Sequence, residues 1–178
     1  KQILYMNPQT HPAINIAKVA NGRGIETIPD FFSEKLVKDI YKKYGSANVI
    51  IGNNVVAHID DHLDLIRGLK VLLADNGVFV FEAPYLIDMF ENLTFDTVYH
   101  EHLSYLALTP IKRFVESYDL EVFNVETYPV QGFSFRVFVG RKGKHTIYPK
   151  VAELLKKEKE MKLDVYATYV NLARKISL

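Results

Sequence analysis

The stretch "NVIIGNNVVAHIDDHLDLIRGLKVLLADNGVFVFEAP", Asn48–Pro84, decides the fold. Its first seven residues, Asn48–Asn54, form an apolar run of strand length, which suits a strand buried on both faces of a parallel sheet. The pattern then turns helical, with Leu63, Ile66, Leu69 and Leu73 on one face and Asp75-Asn76-Gly77 as the stop. "VFVFEAP", Val78–Pro84, reads as the next buried strand. Strand, helix and strand in succession predict a parallel β-α-β unit.

The same alternation extends in both directions. Towards the N-terminus, Gln2–Met6 ("QILYM") predicts a buried strand. "PAINIAKVANGRG" predicts a helix carrying Ile14, Ala17, Val19 and Ala20, with Gly22 and Gly24 as stop signals. Ile25–Ile28 ("IETI") predicts a short strand. "SEKLVKDIYKKYG" predicts an amphipathic helix capped by Ser33, buried along Leu36, Val37, Ile40 and Tyr44, and ended by Gly45.

Towards the C-terminus, "TPIKRFVESYDL" predicts a helix with Thr109 as N-cap, Pro110 at the first helical position, and a stripe of Ile111, Phe114, Val115 and Tyr118. "EVFNVETYPV" and "FSFRVFVGRKG" follow with no helix between them, which predicts an antiparallel pair. After Gly143 the sequence is charged and helical, with no strand. The expected organisation is therefore an α/β domain over residues 1–143 and the helical start of a further domain over residues 144–178.

Composition narrows the function. The 178 residues are 48% hydrophobic and 24% charged, with a net charge of +1. That balance lacks the basic footprint of a nucleic-acid binder. No apolar run approaches the ~20 residues that span a bilayer. Cysteine is absent, so no disulfide or thiolate metal site exists within the chain. The expectation is a cytoplasmic enzyme. Lys1 leads directly into an apolar run, which reads as an internal start rather than a native one.

Open α/β sheets bind ligands at the carboxyl ends of their strands. Asn7, Asp30-Phe31, Asn53-Asn54 with His58, and Glu82-Ala83-Pro84-Tyr85 all fall there. So does "FDTVYHEHLSY", Phe95–Tyr105, where Tyr99, His100, Glu101 and His102 handle protons side by side. Six histidines occur in the chain and two are in this segment. A helical zinc motif needs histidines four apart; here they are two apart, with no obvious third ligand, and no metal is expected. General acid–base chemistry, anion binding and a hydrogen-bonded turn stay open for these residues.

Three segments carry a resemblance. "IIGNNVVAHIDDHLDLIRGLKVLLADNGVFVFEAPYL", "FDTVYHEHLSYLALTPIKRFVESYDLEVFNVETYPVQGFSFRVFVG" and "VAELLKKEKEMKLDVYATYV" resemble the S-adenosylmethionine (SAM)-dependent sugar C-methyltransferases. That family methylates C-3 of nucleotide-linked 4-keto-6-deoxysugars. The resemblance implies SAM as cofactor and a Rossmann-like sheet, mostly parallel with an antiparallel C-terminal hairpin. It implies His102 as the base, Glu101 as its orienting partner, and Tyr99 and His58 lining the sugar site. It implies cofactor contacts at Asn7, Asp30, Phe31, Asn53 and Asn54.

Departures from the family are equally specific. The Gly-rich first β-α unit and the cysteine-bearing zinc segment have no counterpart here. Asn7 stands where the family carries a ribose-binding Glu, and Gln131-Gly132-Phe133 where it often carries His-Gly-Gly. With the first strand missing, two strand edges are open. Gln2–Met6 should then pair directly with Asn48–Ile51, or a second chain should complete the sheet by self-association. An O- or N-methyltransferase on the same scaffold, and a catalytically incompetent partner-binding fragment, are the alternatives.

Overall fold

A computed structural model describes residues 3–6, 14–128 and 134–176. The predicted strand at Asn48–Asn54 is β2 (Ala47–Asn53), and the strand after it is β3 (Leu73–Pro84). They pair in parallel, Ile50 beside Phe79 and Asn53 beside Glu82. The helix between them, α3 (His62–Leu72), is capped by the Asp61 carboxylate and buries Leu65, Ile66, Leu69 and Leu72. Leu63, expected on that face, is exposed.

Asp75-Asn76-Gly77 does not end the helix. The helix stops at Leu72, and these residues lie inside β3, next to an irregularity in its pairing with β2. A Cβ on Gly77 would approach the Ala47 carbonyl oxygen to 2.9 Å, so glycine is what lets the two strands meet there.

The N-terminal strand, β1 (Ile3–Tyr5), pairs in parallel with β2, with Ile3 beside Val49 and Tyr5 beside Ile51. This is the direct pairing expected for an absent intervening strand. β1 is not buried on both faces, however: Ile3 and Tyr5 are exposed and only Leu4 and Met6 pack inward. Helix α1 (Ile14–Gly22) buries only Ala17, leaving Ile14 and Val19 exposed.

Ile25–Ile28 is not a strand. The Asn21 amide donates to the Thr27 carbonyl at 2.9 Å and accepts from the Thr27 N–H at 2.9 Å, so a side chain takes the bonds a ladder would have taken. The next helix, α2 (Glu34–Tyr44), follows the prediction. Ser33 Oγ accepts from the Leu36 N–H, Gly45 at φ 76° closes the end, and Val37 and Ile40 are buried. α2 packs on α3, where Phe32 lies against Gly68.

Beyond β3 come α4 (Leu86–Asn92), α5 (Leu108–Glu116), β4 (Leu120–Tyr128) and β5 (Ser134–Arg141). The expected antiparallel pair is present, with Val125 beside Val137. β5 also pairs antiparallel with β3, giving the order β1-β2-β3-β5-β4. Four strands share one direction and β5 alone opposes them, so the sheet is mostly parallel with an antiparallel hairpin.

Thr109 is not the cap of α5. The N-cap is Ala107, which has no side-chain acceptor, and the carboxylate of Glu158 supplies the capping bonds to Leu108 N–H and, at 2.7 Å, to Thr109 N–H. Glu158 belongs to α6 (Pro149–Glu160), which is followed by α7 (Tyr166–Ile176). Val151 and Leu154 of α6 join the same core as Phe135, Ile50 and Leu69, and α6 packs on α5 and β4. Each fully buried side chain of this size contributes about 1.5–3 kcal/mol of transfer free energy.

Candidate active site

The site is built by two loops at the carboxyl ends of β2 and β3. β2 ends at Asn53. Asn54 turns the chain with φ 53°, a left-handed conformation that Asn tolerates, and its N–H donates to the Glu82 carbonyl at 2.8 Å. A single 3₁₀ turn, Val56–His58, follows. The Ala57 carbonyl then accepts from both Leu103 N–H (2.9 Å) and Ser104 N–H (3.1 Å), which draws the "YHEH" loop onto this turn. The loop's far end is held where Leu106 bridges to Tyr85 and accepts from Leu86 N–H at 3.0 Å.

These bonds bring His58 and His102 together, with ring centroids 4.9 Å apart. Nδ1 of His58 lies 2.7 Å from the Glu101 carbonyl oxygen, and Nδ1 of His102 lies 2.8 Å from the Thr97 carbonyl oxygen. A carbonyl only accepts, so each Nδ1 carries a proton, and Nε2 is the nitrogen that can offer a lone pair. At His102 that lone pair receives the Tyr99 hydroxyl at 3.1 Å, the two rings 4.2 Å apart. An imidazole with a fixed tautomer and a phenol on its basic nitrogen can accept a proton and donate another nearby.

Glu101 enters the cluster through its backbone: its carbonyl orients His58, while the orientation of His102 comes from Thr97. His100 is exposed, its ring edge-on to Tyr99. His62 turns away, with Nε2 3.1 Å from the Val56 carbonyl oxygen. Among the described residues no three metal-binding side chains converge.

Beside His102 lies a shallow, open cleft lined by Ala57, Tyr85, Met89, Thr97, Ser104 and Tyr105 among others. Tyr105 stands edge-on to the His102 ring at 6.4 Å. Tyr105 and Ser104 sit in the quoted loop but were not singled out, because neither carries a spacing signal. Tyr85 is buried, stacked on Phe135 at 4.5 Å, and its hydroxyl donates to Glu158 at 2.9 Å. Burial first, and then the Glu158 carboxylate, push the Tyr85 hydroxyl far above its ordinary pKa.

The expected cofactor residues are less gathered. Asn53 and Asn54 lie at the strand end next to the histidines, and Asn54 Oδ1 is buried with no hydrogen-bond partner among the described residues. Asp30 and Phe31 are exposed on the loop before α2, where the Asp30 carboxylate accepts from the Phe31 N–H at 2.8 Å. Asn7 and Gln131-Gly132-Phe133 lie outside the described residues.

A further polar row crosses the sheet at the same edge: Asn53 beside Glu82, Glu82 beside Arg136, Arg136 beside Glu126. Arg136 pairs with Glu82 at 2.8 Å and lies over the Tyr128 ring. The Glu82 bond holds the Arg136 guanidinium above its ordinary pKa, and a bond to Glu126 raises the Tyr128 hydroxyl.

Comparisons with known proteins bear on this geometry. The C-methyltransferase NovU of Streptomyces niveus is 39% identical over 163 residues, which is 91% of this chain and 39% of NovU. The chain therefore spans about two fifths of the length of that relative. A SAM-dependent methyltransferase from Thermotoga maritima shares the fold, with a TM-score of 0.54 at 12% identity over 79% of this chain and 82% of that one. The sequence profile of the methyltransferase domain matches residues 4–125, more than half of the chain. The chain belongs to the methyltransferase domain family.

Proposed function

We propose that this domain carries out C-methylation of a nucleotide-linked 4-keto-6-deoxysugar, with SAM as methyl donor. The observation that carries the reading is the pair of imidazoles, each with Nδ1 bonded to a carbonyl and Nε2 left basic. Forming a carbon nucleophile beside a ketone needs a base that is neutral near pH 7 and a donor for the oxygen that gains charge. The identity to a named C-methyltransferase supports transfer to carbon, and the three resembling segments support the sugar class.

The residues present fit the cofactor. Asn54 Oδ1 is a buried acceptor without a donor among the described residues, at the carboxyl end of β2. SAM offers an ammonium, two ribose hydroxyls and an amino group as donors. Asn54 would hold one of them, with Asn53 beside it. When bound, SAM supplies an electrophilic methyl carbon.

The chain's own residues do the rest. His102 Nε2 takes the C-3 proton, the C–H electron pair moves into a C=C bond, and the carbonyl π pair moves to oxygen. For that, the Tyr99 hydroxyl must leave Nε2, and its proton is then free to meet the ketone oxygen. His58, 4.9 Å away, offers a second polar group to the same oxygen once its Nε2 is protonated. With SAM bound, the C=C pair would form the new C–C bond to the methyl carbon as the methyl–sulfur bond breaks with its pair staying on sulfur, and an oxygen pair would re-form the C=O.

The test is deuterium incorporation. In D2O with SAM omitted, the protein should wash deuterium into C-3 of the 4-keto sugar. His102→Asn should lower that exchange by about 10²–10⁴-fold, the range for losing a general base. Methylated product that retains its original C-3 proton, or carries the methyl on oxygen or nitrogen, would overturn the reading.

A further inference from the structure

Glu158 is buried, on the helix that the sequence marks as the start of a separate region, and its partners are the walls of the cleft. Its carboxylate accepts three hydrogens: the Tyr85 hydroxyl at 2.9 Å, the Leu108 N–H, and the Thr109 N–H at 2.7 Å. It is 3% exposed. The two backbone donors are orphan groups of the α5 N-terminus, where a negative charge is also favoured by the helix dipole.

These partners frame the base. Tyr85 lines the cleft directly. Leu108 and Thr109 follow at once on Ser104–Leu106, which line the cleft and continue from His102. Besides the bond from His58 to the Glu101 carbonyl, the loop from Thr97 to Thr109 is held at further points along its length. Thr97 holds the His102 ring, Ala57 holds Leu103 and Ser104, Leu86 holds Leu106, and Glu158 holds Leu108 and Thr109. Only the last of these bonds uses a side chain from outside the two loops and the adjoining strand end, and the same carboxylate holds the Tyr85 hydroxyl.

We propose that Glu158 is a positioning residue for the His102 base, tying the C-terminal end of the His102 loop at Leu108 and Thr109 to the Tyr85 hydroxyl. The requirement is specific to a carboxylate. Three donors converge on it, and a glutamine would turn an N–H₂ towards one of them. Aspartate is one methylene too short to reach from α6. Because the effect acts through His102, the proposal rests on the base assignment above.

The experiment compares Glu158→Gln, Tyr85→Phe and Glu153→Gln in the full chain. Glu153 is an exposed residue of the same helix, paired only with Lys150, and serves as the control. Three readouts are taken: kcat and KM for methyl transfer, thermal stability, and the ¹H–¹³C NMR titration of the His102 ring. Glu158→Gln is expected to lower kcat about tenfold at unchanged KM for SAM, in line with the cost of sub-ångström misplacement of a reacting group. It should also move the His102 titration. Tyr85→Phe, which keeps both backbone bonds and the fold, should show a smaller shift of the same sign.

A variant that only melts earlier, with kcat and the His102 titration of the folded protein unchanged, would overturn the proposal and leave Glu158 a structural cap. If wild type shows no proton exchange at C-3, the base reading fails, and the NMR titration alone decides whether Glu158 positions His102. If Glu158→Gln does not fold, Tyr85→Phe decides by the same two readouts.

Discussion

Asp88 stands in the first turn of α4 with one carboxylate oxygen buried and no partner for it among the described residues. Burial raises its pKa, the charge of Glu91 adds to the rise, and Lys157 opposes it. A carboxyl whose pKa is raised on folding binds more protons folded than unfolded. Its contribution to stability is therefore present below the ordinary carboxylate range and is lost as pH rises from there through its own folded value. Asp88→Asn is expected to flatten that loss. Denaturant unfolding of both proteins across a pH series checks this, since other groups cancel in the difference. A parallel pair of curves would contradict it.

At this scale His102, Tyr99 and His58 were picked out by residue type and by the resemblance, and they lie together in the fold, whereas Glu101 joins them through its backbone carbonyl. What holds them was not legible in the sequence. The acceptors that fix both tautomers are carbonyls of Thr97 and Glu101, and a backbone carbonyl leaves no mark on residue type. Glu158 was hidden for a related reason: in sequence it is one charge among many in "LLKKEKE", and only packing makes it the buried one.

Elements followed the hydrophobic period wherever a helix or strand met the core on a full face. α2, α3 and the β4–β5 hairpin are of this kind. The misreadings came where a local bond decided the outcome. Asn21 closes on Thr27 and removes the predicted strand at Ile25–Ile28. Asp75-Asn76-Gly77 has the composition of a stop signal, yet it serves as a kink within β3. Gly77 is the residue that permits this, because any Cβ would meet backbone atoms of Ala47 and Ala74. Gly77→Ala is expected to destabilise the fold by about 1–3 kcal/mol, the usual cost of overpacking against groups that cannot yield. Urea denaturation measures it, and a loss below about 0.5 kcal/mol would show that β3 can shift to make room.

The whole molecule divides into a strongly held centre and a lightly held margin. β3 is paired on both sides, by β2 and β5, and carries Phe79, Phe81 and Ala83 in the core. β1 is three residues long, has one neighbour, and exposes Ile3 and Tyr5. Amide hydrogen exchange should rank accordingly. Amides in the β3–β5 ladder should exchange only through global unfolding, and the Met6 amide, bonded to the Ile51 carbonyl at 2.7 Å, should exchange faster through local opening. Equal protection at both places would mean that the sheet opens as one unit. The direct β1–β2 pairing was one of two expected outcomes, since an apolar strand must satisfy an edge somewhere. The packing of α6 onto β4 was not foreseen, because its charged surface masks a narrow stripe of Val151 and Leu154.

The placement of β5 has a consequence for the order in which the molecule can assemble as it is synthesised. β4 emerges first, but it has no place on β3 until β5 arrives to lie between them. Half of the sheet must therefore wait for residues 134–141, and α6 docks later still. The wall that Glu158 braces can close only after residue 158 has been made, so the His102 loop is held at both ends well after its own residues have left the ribosome.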